Sequence, residues 1–153
     1  MLAIFDSNVY DVFADNGVRR QTLSGAISAG RLRLLTTHIQ RDELAAVTDA
    51  RRREQLFEVL RLADPIATGG FVLGTSRLGE ARLMSEADAT VFDTKMRNGM
   101  SDARGTNDAL IIATARVENA TLVSEDRRCR ARAQRAGVTA VSVAWLLQQL
   151  ESN

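Results

Sequence analysis

Short apolar runs alternate with amphipathic stretches along the chain, the pattern of βα units built around a parallel sheet. Four runs predict strands: Leu2 to Phe5, Arg31 to Leu35, Thr121 to Ser124 and Thr139 to Val143. Between them apolar positions recur at helical spacing over Arg19 to Ala29, His38 to Ala63, Glu80 to Asn98, Asn107 to Glu118, Arg127 to Ala136 and Ala144 to Glu151. Gly30, Gly99 and Gly137 stand just past three of these ends, and Pro65 past a fourth, as expected of residues that stop helices. The stretch His38 to Ala63 is long for one helix, so a break is expected around Thr48 to Arg53. Asp64 to Gly79 holds the only proline and four glycines around the apolar run Phe71, Val72, Leu73, which fits a short edge strand or a loop. No repeat, low-complexity tract or linker divides the chain. The expected fold is α/β: one domain over residues 1–153, with a central, mostly parallel β-sheet of four to five strands flanked by helices.

Composition narrows the picture without changing it. With 153 residues, 45% of them hydrophobic, the chain can bury a single core. It holds no apolar run long enough to span a membrane, and no basic segment precedes its first apolar stretch, so a cytoplasmic protein with no membrane partner is expected. Cys129 is the only cysteine, which excludes an internal disulfide and makes a zinc site unpromising. A net charge of +1 excludes a global basic field. Nineteen of the twenty basic residues are arginine, clustered at Arg51, Arg52, Arg53 and at Arg127, Arg128, Arg130, Arg132, Arg135. Arginine's planar fork suits phosphate, although such a run is also what a solvated helix face looks like. The second cluster is the better phosphate candidate.

The informative residues are acids in places where acids are unusual. Asp6 follows the first strand at its carboxyl end, where open parallel sheets place their ligands. Glu43 lies four residues after Ile39 and four before Val47, on an apolar helix face, whereas neighbouring Asp42 has His38 and Ala46 as its partners at that spacing. Asp108 stands early in a helix that is apolar nearly all round, in line with Ile111, Ile112 and Ala115. Asp126 follows the strand Thr121 to Ser124, again at a carboxyl end. Each acid apart from Glu43 also reads as a helix cap or first-turn acid. Four of them, at two strand ends and on two helices that open onto one edge of a parallel sheet, point instead to a shared site. Carboxylates gathered without matching bases repel one another unless a cation is present, and hard oxygen ligands suit Mg²⁺ or Mn²⁺.

Other chemistries fare worse. His38 is the only histidine and pairs with no activated serine or cysteine, so a hydrolase triad is excluded and a surface or packing role is expected. A haloacid-dehalogenase-type phosphatase needs a second acid two residues after Asp6, where Asn8 stands. No Gly-rich loop followed by lysine exists for a nucleoside triphosphate. With one Tyr, one Trp and five Phe, extensive base stacking is not expected, and Tyr10 near the site is better placed for packing than for a base.

Four segments then carry a resemblance. Asp6-Ser7-Asn8-Val9, Thr37 through Glu43-Leu44, Asn107-Asp108-Ala109-Leu110-Ile111-Ile112-Ala113-Thr114-Ala115 and Leu122-Val123-Ser124-Glu125-Asp126 resemble, in order, the four motifs of the PIN-domain nucleases. Among these the chain is similar to the small single-domain, VapC-like toxins of bacterial toxin–antitoxin pairs. The motifs are individually weak, the third being the most specific, and as an ordered set strong. The resemblance implies an Mg²⁺- or Mn²⁺-dependent endoribonuclease with Asp6, Glu43, Asp108 and Asp126 as catalytic metal ligands, supported by Ser7, Asn8 and Ser124 through hydrogen bonds. It implies an RNA substrate cut to 5′-phosphate and 3′-hydroxyl ends, an antitoxin protein as partner, and a homodimer, for which the faces Leu56, Phe57, Leu60 or Leu83, Val91, Phe92 could serve as well as pack a core. Arg127, Arg128 and Arg130, directly after Asp126, are placed to hold RNA phosphates. The alternative is a PIN-fold module that binds RNA or protein without cleaving it. The chain departs from a minimal toxin at Asp64 to Gly105, a stretch longer and richer in glycine, which bears on substrate and partner more than on chemistry.

Overall fold

Leu2–Phe5 forms the first strand, β1, and it is the central one: Ala3, Ile4 and Phe5 are fully buried, as a parallel strand covered on both faces should be. A computed structural model describes residues 1–69, 79–80 and 103–152. The run Phe71 to Leu73, the apolar positions Leu83, Val91 and Phe92, and all but the first residue of the helix expected from Glu80 to Asn98 lie outside these residues. On one side β1 pairs with β2 (Arg33–Thr36), which pairs with β3 (Asp64–Pro65). On the other it pairs with β4 (Thr121–Val123), which pairs with β5 (Ala140–Val141). Every pairing is parallel and the order is β3-β2-β1-β4-β5. The order reverses between β1 and β4, the position at which open parallel sheets bind ligands beyond their carboxyl ends.

Seven helices among the described residues cover the sheet. Alternation along β1 sends Ala3 and Phe5 to one face and Ile4 to the other. The first face packs α1 (Ser7–Ala14), α2 (Gly17–Ser28), α4 (Ala50–Leu60) and α7 (Val143–Glu151) through residues such as Phe13, Leu23, Val59 and Leu146. Phe5 stacks on Phe13 at 5.4 Å and meets Tyr10 edge-on at 5.8 Å. The second face packs α5 (Ala103–Val117) and α6 (Arg127–Arg135) through Leu110, Ile111, Cys129 and Ala133, together with Ile39 of α3 (His38–Ala45). Leu56 and Leu60 are buried and Phe57 packs against them, so core packing accounts for that apolar face. No helix among the described residues is long and apolar enough to cross a membrane.

Expected and observed boundaries differ where polar residues decide them. α1 was foreshadowed only by the capping reading of Asp6, because its apolar positions, Val9, Tyr10 and Phe13, span barely one turn. The long central stretch does break, but at residues 46–49, where Asp49 accepts from Arg52 N at 2.7 Å and starts α4. β2 is shifted towards its carboxyl end relative to Arg31 to Leu35 because Arg31 and Leu32 donate their backbone N–H groups to Ala26 and complete the turn after α2. Gly30 and Gly137, at φ 68° and 80°, occupy the left-handed position that ends α2 and α6. β3 is a short edge strand at the start of the segment expected to be an edge strand or a loop: two exposed residues join the edge through backbone pairing, one of them a proline that an edge strand tolerates.

One buried side chain fixes α3 on the sheet. Gln40, wholly buried, donates from Nε2 to Phe5 O at 2.8 Å while its Oε1 accepts from Thr37 N at 3.0 Å and closes the capping box. Glu43 is therefore carried to the end of β1 by a helix anchored there. Replacing Gln40 by leucine keeps the volume and leaves the Phe5 carbonyl and the Thr37 N–H unsatisfied. Urea unfolding should show a loss of about 2–4 kcal/mol, against under about 1 kcal/mol if the anchor is dispensable.

Candidate functional site

Parallel pairing of β1 with β4 puts residue 6 beside residue 124. Asp6 donates its backbone N–H to Val123 O at 2.9 Å and turns into α1 as its N-cap. Its carboxylate is held from three sides: Oδ1 accepts from Ser7 N at 2.8 Å, and Oδ2 accepts from Asn8 Nδ2 at 2.9 Å and from Ser124 Oγ at 2.6 Å. Ser124 Oγ also accepts from Asp126 N at 3.0 Å, and Asn8 Oδ1 accepts from Glu125 N at 3.2 Å, so the turns after the two strands are stitched together. Asp126 caps α6, accepting from Arg128 N at 2.7 Å and, more weakly, from Cys129 N at 3.4 Å. Capping and site membership are thus not alternatives for Asp6 and Asp126.

Glu43 and Asp108 approach from helices. Glu43 Oε1 accepts from Asn107 Nδ2 at 2.5 Å, and its other oxygen accepts from Ser7 Oγ. α5 begins at Ala103, four residues before the periodicity places it, so Asp108 stands in its second turn and is not a cap. Its Oδ2 accepts from Nη2 of Arg132 on α6. All four acids, with Ser7, Asn8, Gly105, Arg128 and Arg132, line one open cleft of about 750 Å³ at the carboxyl edge of the sheet. Asp42, the rival of Glu43, is not part of this lining and lies 3.9 Å from Arg41.

Of the three arginines expected to meet RNA, only Arg128 lines the cleft. Arg130 donates to Ser124 O at 2.5 Å and braces the strand end, and Arg127 is exposed outside the lining. From the sequence alone Asn107 receives no role, and Arg132 belongs only to the arginine cluster, not to the residues placed to hold RNA. Arg132 follows Arg128 by four residues, a spacing that shares a helix face and that could have singled it out in place of adjacency to Asp126. His38 is buried, with Nδ1 3.8 Å from Glu80, and Tyr10 is buried with its hydroxyl 3.3 Å from Thr36 Oγ1, so both are packing residues.

The acids act on one another electrostatically. Burial pushes the Asp6 carboxyl up; hydrogen bonds from Ser124 and the Ser7 N–H oppose the shift, and Glu43 and Asp126 add to it. Burial also pushes Asp108 up, to about 6, reinforced by Asp6, Asp126 and Glu43 against the pull of Arg132. The Cys129 thiol beneath them is pushed up to about 12, mainly by burial, and stays protonated and inert. Hard oxygen donors whose charges are incompletely offset suit a divalent cation. Among the described residues no three acids are drawn together closely enough to make a finished coordination sphere. Glu43 is held by Ser7 and Asn107, and Asp108 by Arg132, so those two carboxylates must shift to share an ion.

A family model described as PIN domain matches residues 3–135. The fold is similar to PAE2754 from Pyrobaculum aerophilum over 100% of both chains, with a TM-score of 0.56 and 16% identity. It is also similar to VapBC2 from Rickettsia felis, solved bound to a DNA fragment from their promoter, over 93% of this chain and 98% of that one, with a TM-score of 0.51 and 18% identity. At these identities the likeness is one of fold. A search of curated protein sequences returned no match.

Because the folded chain holds the Asp108 proton more tightly than the usual 3.8, ionised Asp108 lowers stability. The penalty is absent below about pH 4 and complete above about pH 6. Without divalent ions, Asp108→Asn should therefore raise stability at pH 8 by the order of 1 kcal/mol, allowing for solvent screening of a partly exposed group, and the gain should vanish towards pH 4. Thermal melts across that range check it; a lower melting temperature at pH 8 means the Arg132 pair outweighs the repulsion.

Proposed function

The chain belongs to the PIN-domain family, whose members are typically nucleases, and on that premise we propose that it is a divalent-metal-dependent endoribonuclease centred on Asp6, Glu43, Asp108 and Asp126. The observation that carries this reading is that four carboxylates from two strand ends and two helices line a single cleft. Asp6, Glu43, Asp108 and Asp126 are the residues that would hold Mg²⁺ or Mn²⁺. When bound, the ion supplies Lewis-acid stabilisation of charge building on the phosphate oxygens and eases deprotonation of the attacking water.

The chain's own residues supply position. Ser7 N, Asn8 and Ser124 fix both oxygens of Asp6, leaving it little freedom to rotate. Ser7 and Asn107 hold Glu43 in the cleft lining, where a carboxylate can take the proton of the attacking water. In the hydrolysis a water oxygen bonds to phosphorus, the bond from phosphorus to the 3′ oxygen breaks, and the fragments carry 5′-phosphate and 3′-hydroxyl ends. Arg128, in the cleft lining, is placed to meet a phosphate of the backbone, so binding weakens with added salt.

The likeness to VapBC2 and to VapC-like motifs supports a protein antitoxin as the partner that regulates this centre. An antitoxin covering the acidic cleft would block it directly. A cytoplasmic location and a homodimer accord with that assignment.

Incubation with mixed RNA and Mg²⁺ or Mn²⁺ tests the activity. Cleavage should stop with chelator and be abolished in Asp6→Asn and Asp108→Asn, while Ser124→Ala, which frees one Asp6 oxygen, should cost about 10- to 100-fold. Cleavage that persists in chelator or in both acid variants refutes the metal centre. A folded wild type that cuts no RNA and yet binds it supports a non-catalytic PIN-fold module.

A further inference from the structure

Arg132 occupies a place in the acidic cleft that calls for a cation. Its Nη2 donates to Asp108 Oδ2, and it stands one helical turn beyond Arg128, with both side chains in the cleft lining. A guanidinium does not deprotonate, so this is a permanent positive charge carried by the chain itself. The contact is nevertheless incomplete. Arg132 Nε is buried and has no hydrogen-bond partner among the described residues, whereas a structural arginine–carboxylate pair uses its fork in two parallel bonds. The paired side chains keep 25% and 23% of their exposure, enough for an ion to reach them. Four carboxylates and two guanidiniums line the cleft, a formal excess of two negative charges that one divalent cation balances.

Resting on the reading of this cleft as a metal centre, we propose that Arg132 is its resident counter-cation. It neutralises Asp108 in the ion-free chain, is displaced by the incoming divalent cation, and is then free to bind a phosphate of the substrate. Exchange of one cation for another leaves Asp108 paired throughout, and hand-over to phosphate satisfies the fork that Asp108 alone does not. Loading of the metal and readiness for substrate are thereby linked in one side chain.

Two equilibria on the full-length protein test this, neither of them an activity. Without RNA, Mn²⁺ binding followed by electron paramagnetic resonance should tighten about tenfold in Arg132→Gln, because the competitor is gone. Arg128→Gln removes the same charge from the cleft without breaking a side-chain ion pair among the described residues, and should shift Mn²⁺ affinity less than about threefold. In saturating Mg²⁺, binding of inorganic phosphate should weaken about tenfold in Arg132→Gln. Opposite signs for metal and phosphate support the inference. Unchanged or weaker Mn²⁺ binding in Arg132→Gln overturns it, as does unchanged phosphate binding. Arg132→Lys, which keeps the charge and loses the fork, should fall between for both, and it decides the matter if the glutamine variant fails to fold. Should the wild type bind no Mn²⁺ that Asp108→Asn removes, the metal-centre reading itself fails; should it bind Mn²⁺ so, with Arg132→Gln unaltered, only the role of Arg132 fails.

Discussion

The hydrogen bond from Ser124 Oγ to Asp6 Oδ2 joins residues 118 positions apart and ties together the carboxyl ends of the two central strands. It exists because β1 and β4 pair in parallel with Phe5 opposite Val123, so that the next residues along each strand leave the sheet side by side. The same serine oxygen accepts from Asp126 N and so directs the start of α6, which brings Asp126 and then Arg128 and Arg132 to the cleft. Phe5, immediately before Asp6, accepts at its carbonyl from Gln40, which places α3 and hence Glu43. One strand end therefore organises three of the four acids, and α5 adds the fourth across the second core.

What this arrangement achieves, it achieves against electrostatic opposition. Burial raises the proton affinity of Asp6 and Asp108, Glu43 and Asp126 add to it at both, and Asp6 adds to it at Asp108. The fold offsets the repulsion locally, with neutral donors from Ser7, Asn8, Asn107 and Ser124 and one guanidinium from Arg132. A residual negative charge remains directed into an open cleft. Repulsion left unresolved in a well-packed α/β core is a sign that something else is meant to bind there.

Much of this was legible in the sequence, for reasons that differ by element. β1 was located at its observed limits because a fully buried strand is a continuous apolar run, and the ends of α2 and α6 because glycine takes their left-handed positions. β3 was legible only as a segment fit for a short edge strand or a loop: its two exposed residues are held by backbone pairing and by the Arg33–Asp64 ion pair, which leave no apolar alternation to locate them. The start of α5 was misplaced because Gly105 and Thr106 carry no apolar periodicity, and that shift removed the capping explanation for Asp108. Glu43 was legible from its company on an apolar helix face. Arg132 was not, since proximity to Asp126 along the chain favoured Arg127 and Arg130, whereas α-helical geometry turns Arg128 and Arg132 to the cleft.

The central claim is that these four acids form one site for a divalent cation, created by the meeting of β1 and β4. Anomalous diffraction from crystals soaked in Mn²⁺ tests it most directly. The account predicts a peak in the cleft within bonding distance of Asp6 and Asp108, with the Arg132 guanidinium turned away from Asp108. A protein saturated with Mn²⁺ that shows no peak there, or whose only peak lies elsewhere, contradicts it.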